Sequence, residues 1–174
     1  MISPVYDRPG PGEFAPYHKL YVDKVPTGNL LTLYAEQLAE VQKTLKPLSE
    51  TKAESAYAPG KWTIKEMIGH ISDAERVFSY RAMRIARADT TPLPGFDENA
   101  WVPPARFTDR TLTSLLDEWV AVRNASIALF AGLPEEAVTR KGQASGFDLS
   151  VRGLAYVVHG HLAHHLGVLR ERYL

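Results

Sequence analysis

Apolar residues recur at steps of three and four along four separate stretches of the chain. The first stripe, Leu30, Tyr34, Leu38, Val41 and Leu45, predicts a helix from about Gly28 to Lys46, ended by Pro47. The second, Ile64, Met67, Ile68, Ile71, Phe78 and Ile85, predicts a helix that starts at Thr63 and ends near Arg87. Thr63 and Glu66 have the spacing at which each side chain satisfies a free backbone donor of the other. The third helix begins after Thr111, carries Leu115, Trp119, Val122, Leu129 and Phe130, and is stopped by Gly132 and Pro134. The fourth starts after Ser150, a good N-cap, and runs almost to the last residue. Asp148 precedes it near the positive end of its dipole.

No segment alternates apolar and polar residues over a useful length with β-branched enrichment. The pattern therefore predicts an all-α four-helix bundle. Residues 88–110 are far more than an antiparallel hairpin needs, since bundle connections typically take about 2–8 residues. Such a connection crosses the whole bundle and leaves the second and third helices parallel, a topology weighted here slightly above up-down-up-down. Phe96 and Trp101 read as its anchors. Five of the twelve prolines fall within residues 1–26, which predicts an extended arm. Phe14, Tyr17, Leu20 and Tyr21 are too apolar for a free tail, so the arm is expected to pack on the bundle. The 174 residues show no internal repeat or linker and read as one domain, 1–174.

Composition narrows the function. Twenty basic and twenty acidic side chains give zero formal charge, which argues against a nucleic-acid binder. The absence of cysteine excludes a disulfide framework, a zinc finger, an iron–sulfur site and a protein thiolate nucleophile. No run approaches the roughly 18 apolar residues of a membrane span, and the first residues lack a signal-peptide pattern, so a cytoplasmic location is expected.

The candidate chemistry lies in the histidines. Four of six fall between His159 and His165. Along the fourth helix, Leu154, Val158, His161 and His165 step by four, three and four, so one core-facing row changes from aliphatic to imidazole. His161 and His165 have the spacing by which one helix supplies two ligands to a metal. His70 is the only histidine within the other three helices and sits among core positions of the second at a matching height. The plainer alternative is three separate histidines, each with its own hydrogen bond. Two imidazoles buried together without a common partner would leave polar nitrogens unsatisfied, which favours the metal. Three imidazoles suit one divalent transition metal, and three protein ligands leave a position open for chemistry. Glu66 and Asp73, one turn either side of His70, and His164 beside the ligand row are candidates for orienting or assisting the site; as solvated helix charges the two carboxylates have a simpler reading. Trp62 either contacts substrate or staples the second helix. Arg76, Arg81, Arg84 and Arg87, with Asp73 and Glu75, read as surface ion pairs, with an anionic substrate site there as the lesser alternative.

The blocks APGKWTIKEMIGHISDAERVFSYR, RADTTPLPGFDENAWV and VHGHLAHHLGVLRERYL together closely resemble the DinB-like superfamily of metal-dependent enzymes, over about Pro16 to Leu174. That resemblance implies a four-helix bundle, often dimeric, and a divalent metal, zinc or nickel, held by His70, His161 and His165. Characterised members include S-transferases that use low-molecular-weight thiols and a maleylpyruvate isomerase.

The leading expectation is an enzyme that activates a small-molecule thiol against an electrophilic substrate; lacking cysteine, the chain would take the sulfur from a co-substrate. Hydrolysis is the alternative within the same class. A metal-binding stress-response module without turnover, and a structural bundle with an incidental metal, are the alternatives outside it. The metal is expected near one end of the bundle, below a pocket with apolar walls and few fixed charges.

Overall fold

Each long helix begins where a side chain satisfies its first free N–H groups. Asn29 accepts from the Leu31 and Thr32 amides, Thr63 and Glu66 cap one another, Thr111 accepts from Ser114, and Ser150 accepts from Gly153. The structure, a computed structural model, describes residues 4–174; the first three residues of the predicted arm lie outside the described residues. Its helices are α1 (Lys19–Val22), α2 (Leu30–Leu45), α3 (Glu50–Ala53), α4 (Ile64–Ala86), α5 (Glu98–Ala105), α6 (Leu112–Ala131) and α7 (Val151–Arg172). Strands β1 (Lys141–Ala144) and β2 (Phe147–Ser150) form one hairpin. The four predicted helices are α2, α4, α6 and α7. No helix is long and apolar enough to cross a membrane among the described residues.

Contacts between helices give their directions. Ser79 meets Ser126 at 3.0 Å and Arg76 meets Glu118 at 2.6 Å, so α4 and α6 are parallel. Tyr34 bonds the Ala155 carbonyl and Gln37 the His159 carbonyl, so α2 and α7 are parallel. The His70 end of α4 lies beside His161 and His165, while its other end meets the hairpin that leads into α7. The bundle therefore runs up, down, down, up, and the connection from α4 to α6 is the predicted crossover. It is more ordered than a plain loop. Leu93 exchanges backbone hydrogen bonds with Gln143 and Ser145 of the hairpin, and Asp97 caps α5. Phe107 then seats on Gly69, where a Cβ would lie 2.4 Å from its ring.

The hairpin is an addition to the helical pattern. Ser145 and Gly146 take φ of 54° and 80°, the two left-handed positions of a type I′ turn. Four-residue strands are too short to show alternation, so Ser-Gly was the one available signal.

One buried polar network joins the four bundle helices. Arg123 of α6 grips the Glu75 carboxylate of α4 with two bonds, Nε to Oε1 at 2.8 Å and Nη2 to Oε2 at 2.9 Å. Its Nη1 donates to Gln37 of α2 at 2.6 Å, and Gln37 donates to the His159 carbonyl of α7 at 3.0 Å. The guanidinium is closed in by Tyr34 and Trp119. Glu75 is thus no surface charge as its place in a run of charged residues suggested; it is buried because it continues the row Ile71, Phe78, Ala82. One apolar cluster, with Phe78, Phe130 and Leu154, lies on one side of the network, and another, with Ile71, Trp119 and Leu162, on the other.

The arm packs on α7 through glycines. A Cβ at Gly153 would lie 2.1 Å from the Glu13 carbonyl oxygen, and one at Gly160 would lie 2.0 Å from that of Tyr21. The arm buries its own Tyr6, Ala15, Val22 and Val25 against the bundle, and its Glu13 pairs with Arg152. Residues Pro16–His18 form a 3-10 turn that continues into α1.

Two stability measurements check this account. Arg123→Leu leaves the Glu75 carboxylate buried without a counter-charge and is expected to lower the unfolding free energy by about 3–5 kcal/mol, with Glu75→Leu in the same chain recovering most of it. Equal stability of the single and double variants in urea titrations would contradict this. Gly160→Ala should destabilise by about 1–3 kcal/mol despite alanine's better helix propensity, because it collides with the arm. Gly167→Ala meets open space and should instead stabilise by up to about 1 kcal/mol. The same sign for both would show that the arm is not seated at Gly160.

Candidate metal centre

Past the middle of α7 the buried row Leu154, Val158 continues as His161 and His165, and α4 brings His70 against them. The Nε2 atom of His161 lies 3.1 Å from that of His70 and 3.2 Å from that of His165. Ligand atoms of the three residues all fall within 4.8 Å of one another. Nitrogens about 2.0–2.1 Å from one cation stand about 2.9 Å apart at right angles and about 3.4 Å apart at the tetrahedral angle. The two measured spacings fall in that range. A proton on His161 Nε2 points at one neighbouring nitrogen only, whereas one cation satisfies all three. The donor set therefore fits a divalent transition metal, and the three neutral rings are the form that binds it.

Burial keeps them neutral. It pulls His70 down to about 4 and His165 to about 3, the latter helped by the neighbouring His70 and His164. His161 is held well below the ordinary histidine range, first by burial and then by the adjoining imidazoles.

The other sequence candidates have mixed placements. The Glu66 carboxylate accepts from the Thr63 backbone N–H at 2.7 Å and so completes the α4 cap. Asp73 pairs with Arg76 at 3.2 Å. His164, half-buried, stands with its ring 5.2 Å from His165 and 5.5 Å from Tyr21. The Trp62 ring covers His70 at 4.7 Å, and its backbone carbonyl accepts from Tyr173.

Two cavities adjoin the histidines. The outer one, of about 270 Å³, is bounded by His165, His164, Trp62, Met67 and Tyr173. The inner one, of about 250 Å³, reaches His70 and His161 and is walled by Tyr17, His18 and Tyr21 of the arm, Phe78 and Phe96. Glu98 lines the inner cavity and Asn99 the outer, so the first turn of α5 lies across their junction. The arm and Trp62 form walls as expected, but the expectation of few fixed charges is wrong for the inner cavity: Arg81 and Glu98 both face it. Arg81 is no surface ion pair as its grouping with exposed neighbours suggested, and only the lesser alternative placed it at a ligand site. The available signal was its position on the buried row between Phe78 and Ile85.

The fold and the histidine cluster define a helical bundle with three histidines that could hold a metal beside two cavities. The chain belongs to the DinB superfamily, whose family model matches residues 33–169. It is 25% identical over 142 residues to the Oceanobacillus iheyensis protein named "Putative metal-dependent hydrolase OB0413", covering 79% of this chain and 78% of that one. It is 25% identical over 145 residues to "Putative metal-dependent hydrolase BcerKBAB4_2443" of Bacillus mycoides, covering 76% and 79% of the two chains. The solved structure of YfiT from Bacillus subtilis, described as "a probable metal-dependent hydrolase with an unusual four-helix bundle topology", superposes with a TM-score of 0.65 over 95% of this chain and 93% of that one, at 17% identity.

Acid should unfold the metal-free protein early. His18, His70 and His159 are each pulled down by burial to about 4, against about 6.5 in the unfolded chain. The unfolded state binds more protons between these values, so stability is full above pH 6.5 and falls as pH drops toward 4. The melting temperature of EDTA-treated protein is expected to fall by about 10 °C or more across that window. A flat profile from pH 7 to 4.5 would show that these rings protonate freely in the folded state.

Proposed function

We propose that the protein is a metal-dependent hydrolase of small acyl esters or amides, with zinc or nickel held by His70, His161 and His165. The observation that carries this reading is the convergence of three neutral Nε2 atoms at two solvent-reaching cavities. A site closed by four protein ligands would have a structural purpose; three leave room for a reactant. When bound, the ion supplies Lewis acidity to an oxygen of water or substrate.

The chain's own residues supply the rest. The capped first turns of α4 fix His70, and the glycine-seated arm holds Tyr21 over His161, with ring centroids 5.2 Å apart. Aromatic walls limit the water that reaches the histidines. Glu98 lines the same cavity, and to it falls the role of taking a proton from attacking water and returning it to the leaving group. In the reaction, the water oxygen bonds to the carbonyl carbon, the C–O or C–N bond breaks, and the leaving alcohol or amine departs with a proton.

The relatives' names support hydrolysis. Among the described residues nothing in either cavity selects a thiol over water, so water is the simpler nucleophile here.

The test loads purified protein with zinc or nickel, counts metal by mass spectrometry, and assays a panel of esters and amides with and without a low-molecular-weight thiol. One metal per chain and thiol-independent hydrolysis are expected. His161→Ala should keep the helical spectrum while losing about a hundredfold or more in both metal affinity and turnover. Turnover that needs the thiol would replace hydrolysis with transfer. Stoichiometric metal without turnover would favour a binding module, and full turnover in metal-free His161→Ala would refute the metal reading.

A further inference from the structure

The inner cavity contains a cation without a counter-ion. Arg81 is 3% exposed, yet no carboxylate lies within ion-pair distance of it among the described residues. Its two protein hydrogen bonds both leave from Nη2, to the Pro94 carbonyl at 2.7 Å and to Ser145 Oγ at 3.0 Å. Nη1 and Nε have no protein partner in the structure. Burial opposes the guanidinium's charge and lowers its pKa. The other buried arginine, Arg123, has its fork filled by Glu75 and Gln37, which shows what full satisfaction looks like in this chain. Burying a charge is costly unless it is paired, and the free N–H groups of a guanidinium make strong charge-assisted bonds to a carboxylate.

The surroundings hold this guanidinium still. Its two acceptors come from different segments, the crossover and the type I′ turn. Phe96 lies beside the guanidinium at 5.7 Å. Glu98 also lines the cavity but makes no ion pair with Arg81, so it does not neutralise the site. His70 and His161 line the same cavity, and Tyr21, Phe78 and Phe96 supply aromatic walls between the charged and imidazole groups.

We propose that Arg81 and Ser145 form a carboxylate-binding subsite, and that the cavity takes a small monocarboxylate with a flat or apolar body. The carboxylate accepts one charge-assisted bond from the free Nη1–H of Arg81 and one from the hydroxyl of Ser145, whose oxygen already accepts from Nη2, and the body runs along the aromatic walls toward His70 and His161. A volume of about 250 Å³ limits the ligand to a small molecule. As a statement of substrate class this rests on the hydrolase reading, but the subsite itself is a binding property of the metal-free chain.

The experiment therefore uses equilibrium binding. Full-length protein dialysed against EDTA is titrated calorimetrically with benzoate, with its neutral isostere benzamide and with inorganic phosphate. Benzoate is expected to bind about tenfold or more tightly than benzamide, and more tightly than phosphate. Arg81→Gln should abolish the preference for benzoate, and Arg81→Lys should retain part of it. Both should keep the wild-type metal stoichiometry. The contrast between ligands in the wild-type protein stands even if a variant misfolds. Equal binding of benzoate and benzamide, no measurable benzoate binding at millimolar concentration, or an undiminished preference in folded Arg81→Gln would overturn the subsite. Tighter binding of phosphate would overturn its assignment to carboxylates. Failure of the hydrolase assay with the benzoate preference intact would remove the reaction and leave the subsite standing.

Discussion

The bundle depends on the Arg123–Glu75 pair and the chain of bonds that leads from it through Gln37 to the His159 carbonyl. Apolar stripes drive helices together but tolerate a slip along the axis, since one turn of leucines packs much like the next. A two-bond guanidinium–carboxylate contact with a defined third acceptor does not tolerate it. Replacing the pair with well-packed hydrophobic groups is often neutral or stabilising in proteins, so its value here is register more than net energy. That register sets the height of the site. His70 lies five residues before Glu75, and His161 lies two residues after the carbonyl that closes the network. A slip of one helical turn, about 5.4 Å, would carry the two Nε2 atoms beyond any shared ion.

The up-down-down-up order follows from parallel α4 and α6, and it has a structural consequence. A crossover must travel the length of the bundle, and it brings α5 over the histidines on the way. The arm does the same from the other side, lying so close to α7 that only glycine fits at 153 and 160. The two segments that belong to no bundle helix are thus the ones that roof the site. Loops commonly carry function on a rigid scaffold, and here the scaffold supplies the histidines while the connections supply the walls.

Much of this was legible before the structure. The four helices followed from their stripes because each buries one face against the others, and periodicity records that burial directly. His161 and His165 were readable as the continuation of Leu154 and Val158. The crossover was readable from its length. What escaped were charged residues on buried rows: Glu75 between Ile71 and Phe78, Arg81 between Phe78 and Ile85, Arg123 between Trp119 and Phe130. Each sits at helical spacing from apolar neighbours, but charge alone assigns it to solvent. Partners on other helices decide whether such a group goes inside, and a single helix carries no record of them. The hairpin escaped for a different reason, since its strands take only four residues each.

These features give the site a local electrostatic character that the chain as a whole lacks. With zero net formal charge the molecule has no strong overall field with which to steer an anion from a distance. Selection must operate inside the cavity. The three histidines are neutral there and would not offset the charge of a bound divalent cation, and Arg81 brings a largely buried positive charge of its own. In such a medium a charge interacts far more strongly than at the surface. Glu98 opposes this only in part, because it stands at the start of α5, half-buried and unpaired with Arg81. A neutral ligand would leave the guanidinium without a counter-charge, whereas a carboxylate supplies one to the side chain that Pro94 and Ser145 hold in place. The preference for an anion thus follows from an unpaired buried cation and requires no excess of positive charge elsewhere in the chain.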